Sequence, residues 1–183
     1  MRDVRYTGGQ QILTAPDVPD SDITIRNYVL PRRNRETGKI EKHMPLGNYI
    51  GPMTDVIRRL NEGVLPTTRV DRGAMNHDVA YYNIRTGLRN GTITIPKAEE
   101  RVRQADNVLI AEAQKTVLAP LNATNSSHGI GAMTGMKLKK VAEDVGLLDP
   151  LKFIGKGKLR KIKGVGKDPL SKLRKSMAKG MIC

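Results

Sequence analysis

Two adjacent side chains, His77 and Asp78, are of the types that ester hydrolysis at a cation site requires. Such a reaction needs a base that takes a proton from water and a carboxylate that fixes the base's tautomer. It also needs a cation that stabilises the oxyanion, and oxygen ligands that hold the cation. Adjacent side chains on a helix diverge by about 100° around its axis. We therefore expect Asp78 not to orient His77 and to face a different partner.

Asp106 and Tyr81 are candidates for orienting the histidine. Tyr81 follows His77 by four residues and shares its face of a helix. Asp106 lies near Ala105 and Val108 in the next helical segment, where a carboxylate bordering an apolar stripe needs a partner. Two antiparallel helices would bring Asp106 against His77.

Oxygen ligands for a cation could come from the run Tyr49-Ile50-Gly51-Pro52-Met53. Its glycine and proline favour an irregular loop, whose carbonyls could converge on one point. Calcium prefers six to eight oxygen ligands, often backbone carbonyls together with a carboxylate. Asp78 could supply that carboxylate.

The elements that must position these residues are mainly α-helical. Apolar spacing predicts two antiparallel helices over 71–86 and 97–119, the first with Asp71 at its N-cap, and a short helix over 55–63. Asn90-Gly91 is a turn pair, so the segment 92–96 is expected to form a short β-wing between the two long helices. The predicted fold is a small helical core with a preceding loop, flanked by extended arms.

The order and spacing of these residues resemble a known family. Tyr-x-Gly is followed by Asp-x-x-x-x-x-His-Asp-x-x-Tyr and then by Ala-Asp, in the runs YIGP (49–52), DRGAMNHDVAY (71–81) and RQADNVLIAEA (103–113). This pattern, over about 46–118, resembles phospholipase A2, in particular its disulfide-free version in the minor capsid proteins of parvoviruses. The resemblance implies calcium-dependent hydrolysis of the sn-2 ester of glycerophospholipids.

The resemblance also implies a role for each matching residue. His77 would be the general base, Asp106 would orient it and Tyr81 would hydrogen-bond Asp106. The implied Ca2+ ligands are the Asp78 carboxylate and the carbonyls of Tyr49, Gly51 and Met53. The family commonly has glycine where this chain has Met53, and methionine adopts a positive φ only at a cost. Calcium affinity is therefore expected to be reduced.

Charge and cysteine content limit the remaining possibilities. Lys and Arg number 32 against 18 Asp and Glu, a net charge of +14 that predicts attraction to polyanions. Cys183 is the single cysteine, which excludes an intramolecular disulfide. We expect four parts in the chain: an extended N-terminal arm at 1–45, a phospholipase A2-like domain at 46–121, a linker at 122–136 and a basic C-terminal tail at 137–183.

The resemblance further implies a place and partners. It places the protein in a virion, inside or associated with the capsid, in contact with other capsid proteins and acting on a phospholipid membrane such as the host endosomal membrane. From its charge, the basic tail 137–183 is expected to bind a polyanion, either nucleic acid or an anionic membrane surface. Two alternatives are a non-enzymatic minor capsid protein with a degenerate phospholipase fold, and a membrane-lytic tail. His43 and His128 lie in polar segments and are expected to be solvated.

Overall fold

The computed structural model describes residues 12–118 and 123–151, in which four α-helices form the fold. They are α1 (Val56–Asn61), α2 (Arg69–Arg89), α3 (Ile95–Leu118) and α4 (Ala123–Asp144). Two short 3-10 turns, Asp20–Asp22 and Ile25–Asn27, precede them. The described residues contain no β-strand, only an isolated antiparallel bridge between Arg33 and Ile40.

Helices α2 and α3 are antiparallel and share a core. The α3 stripe Ala98, Val102, Leu109 and Ala113 is buried and repeats at helical spacing. Gly73 near the start of α2 faces Leu109, whereas Ile84 near its end clusters with Ala98 and Val102. This opposite order confirms the two predicted long helices and brings the middle of α2 against the middle of α3.

The predicted β-wing is wrong. Residues 92–94 are irregular, and α3 already begins at Ile95. The amides of Thr92 and Ile93 both donate to the Gly87 carbonyl, 2.9 and 3.4 Å away, so the segment closes the end of α2. A lone hairpin would need a partner surface to be stable, and this short connection instead packs Ile93 against the helices.

Most of the segment expected to be a linker, 122–136, lies in helix α4, which spans Ala123–Asp144. α4 packs against α3. A Cβ atom on Gly129 would lie 2.9 Å from Cγ2 of Val117 and 3.2 Å from the Ala113 carbonyl oxygen. The small residues of this segment, from which a linker was expected, therefore allow α4 to pack closely against α3.

The flanking arms differ in part from the expectation. Residues 12–45 are mostly irregular, as expected, but they pack on the helices, and Val18, Asn34 and Glu41 are buried. A 3-10 turn occupies Ile25–Asn27. Most of the basic tail, 152–183, lies outside the described residues, whereas its first residues continue α4. None of the helices within the described ranges has the length and hydropathy of a membrane span.

Candidate active site

The imidazole of His77 meets the carboxylate of Asp106 across the interface between α2 and α3. Nε2 of His77 lies 2.8 Å from Oδ1 of Asp106. Asp106 occupies a buried position of the α3 stripe between Val102 and Leu109, so helical spacing aims it at α2. The antiparallel packing that the sequence predicts thus brings the two side chains within hydrogen-bond distance.

Asp106 is a carboxylate in spite of its burial. Burial raises the pKa of its carboxyl group, but hydrogen bonds from His77, Lys139 and Tyr81 outweigh burial and hold the pKa below its ordinary value. An ionised carboxylate only accepts hydrogen bonds. Nε2 of His77 therefore carries a proton and donates a hydrogen bond to Asp106. Burial lowers the pKa of His77, but Asp106 and Asp78 outweigh burial and raise it; in the neutral imidazole Nδ1 holds the free lone pair.

Tyr81 completes the cluster on α2. Its hydroxyl donates to Oδ1 of Asp106 at 2.7 Å, and its ring lies 4.1 Å from the His77 ring, centroid to centroid. Burial and the neighbouring Asp106 raise the pKa of the Tyr81 hydroxyl far above its ordinary value, so it stays a donor. Oδ1 of Asp106 thus has two hydrogen-bond donors on α2. The His77–Asp106–Tyr81 cluster is the arrangement that would hold a basic imidazole in one orientation.

Asp78 stands on the other side of the imidazole. Its Oδ1 is 3.7 Å from Nδ1 of His77, too far for a hydrogen bond. Its Oδ2 is buried, and no group among the described residues hydrogen-bonds it. Burial raises the pKa of the Asp78 carboxyl group, an effect that His77 and then Thr54 partly offset. A cation is the kind of partner that such a buried carboxylate oxygen needs.

Two carbonyl oxygens of the irregular loop converge near the Thr54 hydroxyl. Oγ1 of Thr54 lies 3.4 Å from the Tyr49 oxygen and 3.2 Å from the Gly51 oxygen. Neighbouring ligand oxygens around one Ca2+ with bonds of about 2.4 Å are roughly 3 Å apart. These two distances are close to the spacing of neighbouring oxygens in a calcium shell. Within the described residues no group of three or more His, Cys, Asp or Glu could hold a metal, so a cation here would depend on neutral oxygens and Asp78.

Gly51 allows this loop to approach its neighbours. Its φ is 147°, and a Cβ atom there would lie 2.0 Å from the Lys42 carbonyl oxygen. On either side of it, the Pro52 oxygen accepts from the Lys42 amide at 3.1 Å and the Ile50 oxygen accepts from the Met44 amide at 2.8 Å. No other residue type fits between these two backbone contacts.

Met53 differs from the other implied calcium ligands. Its φ is 71°, the left-handed conformation for which the family's glycine is suited. Its carbonyl oxygen accepts from Nδ2 of Asn34 at 3.0 Å. The residue therefore adopts the backbone conformation of a glycine at the expected cost, and its carbonyl already has one protein partner.

A residue that the sequence treated only as a helix cap, Asp71, holds the loop in place. The cap itself is Thr68, whose hydroxyl accepts from the Asp71 amide at 3.1 Å. Asp71 is completely buried, and its two carboxylate oxygens accept at 2.7–3.1 Å from the backbone amides of Asn48, Tyr49, Ile50 and Thr67. One carboxylate on α2 thus fixes the start of the loop that carries Tyr49 and Gly51.

The expectation that His43 and His128 are solvated is wrong. His128 is 1% exposed, between the Thr68 hydroxyl at 3.1 Å and the Pro45 carbonyl oxygen at 2.7 Å. Nε2 of His43 lies 3.1 Å from Oγ1 of Thr54. Burial and then the positive charge of Arg59 lower the pKa of His43 to about 4. His43 is therefore neutral at pH 7 and supports the loop as a hydrogen-bonding group.

Lys139 was assigned to the basic tail by sequence but reaches the cluster from α4. Its ammonium group contacts Oδ2 of Asp106 and lies 2.6 Å from Oε1 of Glu143. The Lys139 side chain is 10% exposed. Only its place on the inward face of α4, four residues before Glu143, could have indicated this contact.

A groove of about 380 Å³ runs beside His77 between α2 and α3. Its wall contains several small or apolar side chains and one cation, namely Gly73, Ala80, Ala105, Val108 and Arg101. Its volume is within the range of small-molecule sites. The groove could therefore take an apolar chain beside the imidazole.

Comparison with known proteins agrees with this geometry. The family model described as a phospholipase A2-like domain matches residues 40–116, less than half of the chain. The match begins six residues before the expected domain boundary at 46 and so includes Glu41 and His43. No curated protein and no solved structure matches the chain. Residues 40–116 are therefore a phospholipase A2-like domain.

Proposed function

We propose that the protein hydrolyses the sn-2 ester of glycerophospholipids with the help of Ca2+. One observation carries this proposal: Nε2 of His77 bonds to the Asp106 carboxylate while Nδ1 faces Asp78, whose buried Oδ2 has no hydrogen bond from the described residues. The proposed base, His77, and the proposed cation ligand, Asp78, therefore lie next to each other. The match to a phospholipase A2-like domain supports the same chemistry.

In the proposed reaction, Nδ1 of His77 takes a proton from a water molecule that attacks the ester carbonyl. The hydrogen bond to Asp106 holds the imidazole in the Nε2–H tautomer and stabilises the imidazolium that forms. His77 then returns the proton to the glycerol oxygen as the ester bond breaks. The products are a free fatty acid and a lysophospholipid.

Ca2+ would be held by the Asp78 carboxylate and the carbonyl oxygens of Tyr49 and Gly51. When bound, it would polarise the ester carbonyl and stabilise the oxyanion. We propose the Thr54 hydroxyl as a further ligand, because it stands 3.2–3.4 Å from both carbonyl oxygens. Asp78 is the one charged ligand in this set, which predicts weak binding at about 0.1–1 mM.

The groove beside His77 would receive the acyl chain. Ala80 and Ala105 keep it open, Val108 gives it an apolar wall, and Arg101 supplies a cation for the lipid phosphate. We further propose that the hydrolysis helps a viral particle to cross a host membrane, with the basic tail 137–183 in contact with nucleic acid or capsid protein. The resemblance of the motifs to parvovirus minor capsid proteins and the net charge of +14 support this context.

A second candidate function is that of a non-enzymatic capsid protein with a degenerate phospholipase fold. The observation in its favour is Met53, whose carbonyl oxygen accepts from Asn34 and whose φ is strained. Loss of this ligand would weaken calcium binding. The two candidates therefore differ in whether the site, with calcium binding weakened in this way, still hydrolyses phospholipid.

Calorimetric titration with Ca2+ tests the proposal directly. We expect one site in the wild type, loss of binding in Asp78→Asn, and weaker binding in Thr54→Val than in Thr54→Ser, which keeps the hydroxyl. Fatty-acid release from phosphatidylcholine vesicles should require Ca2+ and stop in excess chelator. Binding without release would support the structural-protein alternative, and equal affinity of Thr54→Val and wild type would remove Thr54 from the ligand set.

A further inference from the structure

The inward face of α4 ends in a lysine, Lys139, whose side chain is only 10% exposed. Asn125, His128, Gly129 and Ala132 are the buried residues of this helix, and Lys139 continues their row by two further turns. Its neighbours Lys137 and Lys140 are exposed. A lysine that only contacts solvent would be as exposed as Lys137 and Lys140. The low exposure of Lys139 therefore needs another explanation.

The partners of Lys139 supply that explanation. Its ammonium group contacts Oδ2 of Asp106 and lies 2.6 Å from Oε1 of Glu143, and both carboxylates are less than a tenth exposed. It also lies 5.9 Å from the centroid of the Tyr81 ring. A buried ammonium group is stable only when its charge is paired in this way.

We propose that Lys139 is a positioning residue for the His77–Asp106–Tyr81 cluster. Lys139 holds Oδ2 of Asp106, while His77 and Tyr81 hold Oδ1. The carboxylate is therefore fixed at both oxygens and cannot turn away from the imidazole. This inference rests on the proposed hydrolysis and adds to it a residue beyond the matched domain, since the match ends at 116.

The charges of the cluster agree with this role. Lys139 lies between two carboxylates, Asp106 and Glu143, so these three side chains together carry one negative charge. Lys139 thus keeps Asp106 an acceptor in an apolar setting, and Glu143 is a second partner for the lysine charge.

The test compares Lys139→Met with Lys137→Met in the full chain. We expect kcat of Lys139→Met to fall roughly tenfold or more while KM stays within about twofold, as for loss of a group that orients another. Lys139→Arg keeps the charge and should recover part of the loss. A kcat of Lys139→Met within about twofold of the Lys137→Met value would overturn the proposal.

A spectroscopic readout separates this proposal from the hydrolysis itself. Nitrogen chemical shifts of the His77 ring report its tautomer, and they are assigned by comparison with His77→Gln. The wild type should show the Nε2–H form, and Lys139→Met should show a mixture, even if no lipid is hydrolysed. An unchanged tautomer in Lys139→Met overturns the positioning role, whereas absent hydrolysis in the wild type overturns only the proposed function.

Loss of Lys139 also leaves Glu143 without this partner, which could unfold the variant. The double variant Lys139→Met/Glu143→Met removes both charges and should fold with the same altered tautomer. Reductive methylation of the lysines in the wild type gives a further check of the Lys139 contact. Lys139 should react much more slowly than Lys137, and equal rates would overturn the buried contact on which the proposal depends.

Discussion

Asp71→Asn should destabilise the protein far more than its conservative chemistry suggests. The Asp71 carboxylate is completely buried and accepts hydrogen bonds from four backbone amides and from the Thr67 hydroxyl at 3.2 Å. An asparagine keeps one acceptor oxygen and replaces the other by an NH2 group. That NH2 would face the amides of Thr67 and Asn48, which are themselves donors.

The magnitude follows from the bonds that are lost. A hydrogen bond to a charged group contributes about 1.5–3 kcal/mol. Asp71→Asn removes roughly two such bonds, those of Thr67 and of the shared Asn48 amide, so the free energy of unfolding should fall by about 3–6 kcal/mol. A domain of this size is stable by only about 5–15 kcal/mol. Tm should therefore fall by roughly 10–20 °C.

Urea unfolding followed by circular dichroism measures this change, with Asp17→Asn as the control. Asp17 is an exposed carboxylate in the N-terminal segment, so its replacement should leave the free energy of unfolding within about 0.5 kcal/mol of wild type. The Ca2+ affinity of folded Asp71→Asn should also fall, because the loop that carries Tyr49 is no longer held. A loss of stability below about 1 kcal/mol would refute the idea that Asp71 organises this loop.

Three further predictions concern the same loop and its support. Although burial opposes it, the hydrogen bond from Arg59 lowers the pKa of Glu41 from 4.5 to about 2. The stability that this pair contributes is therefore complete above pH 4.5 and is lost as pH falls toward 2. In urea titrations the free energy of unfolding of the wild type should fall by about 3 kcal/mol over this pH range, and that of Glu41→Gln should not. An equal fall in both proteins would contradict the pairing. Met53 has a φ of 71°, which glycine adopts more easily than alanine. In the same titration, the free energy of unfolding of Met53→Gly should exceed that of Met53→Ala by about 0.5–1 kcal/mol. The opposite order would argue against the left-handed conformation. Gly51→Ala should abolish Ca2+ binding in calorimetry, because its Cβ would lie 2.0 Å from the Lys42 oxygen, and normal binding would show that this backbone contact is absent.

The parts of the fold that the sequence predicts are those with a local signal. Helices α2 and α3 follow from apolar spacing, and their antiparallel packing follows from the short connection between them. The approach of Asp106 to His77 could be anticipated because both positions lie mid-helix on facing stripes. Gly87, in contrast, directly follows the predicted helix 71–86 but lies inside α2. It makes room for Ile93, because a Cβ atom on Gly87 would lie 3.1 Å from Cγ1 of Ile93.

The parts that sequence missed depend on contacts between distant segments. Lys139 is one lysine among many in a basic region, so only the structure distinguishes its buried side chain from exposed ones. Asp71 has a plausible local role at a helix start, which hides its bonds to a loop more than twenty residues away. The small residues around Gly129 have the composition of a linker, although tertiary packing against α3 makes them helical.

The most direct test of the proposed hydrolysis is fatty-acid release by the wild type and by His77→Gln. Vesicles of phosphatidylcholine labelled in the sn-2 chain are incubated with each protein and Ca2+, and the released chain is quantified by mass spectrometry. We expect sn-2 release by the wild type and a rate at least ~100-fold lower in His77→Gln, with unchanged circular dichroism. A variant that keeps more than about a tenth of the wild-type rate would contradict the assignment of His77 as the base.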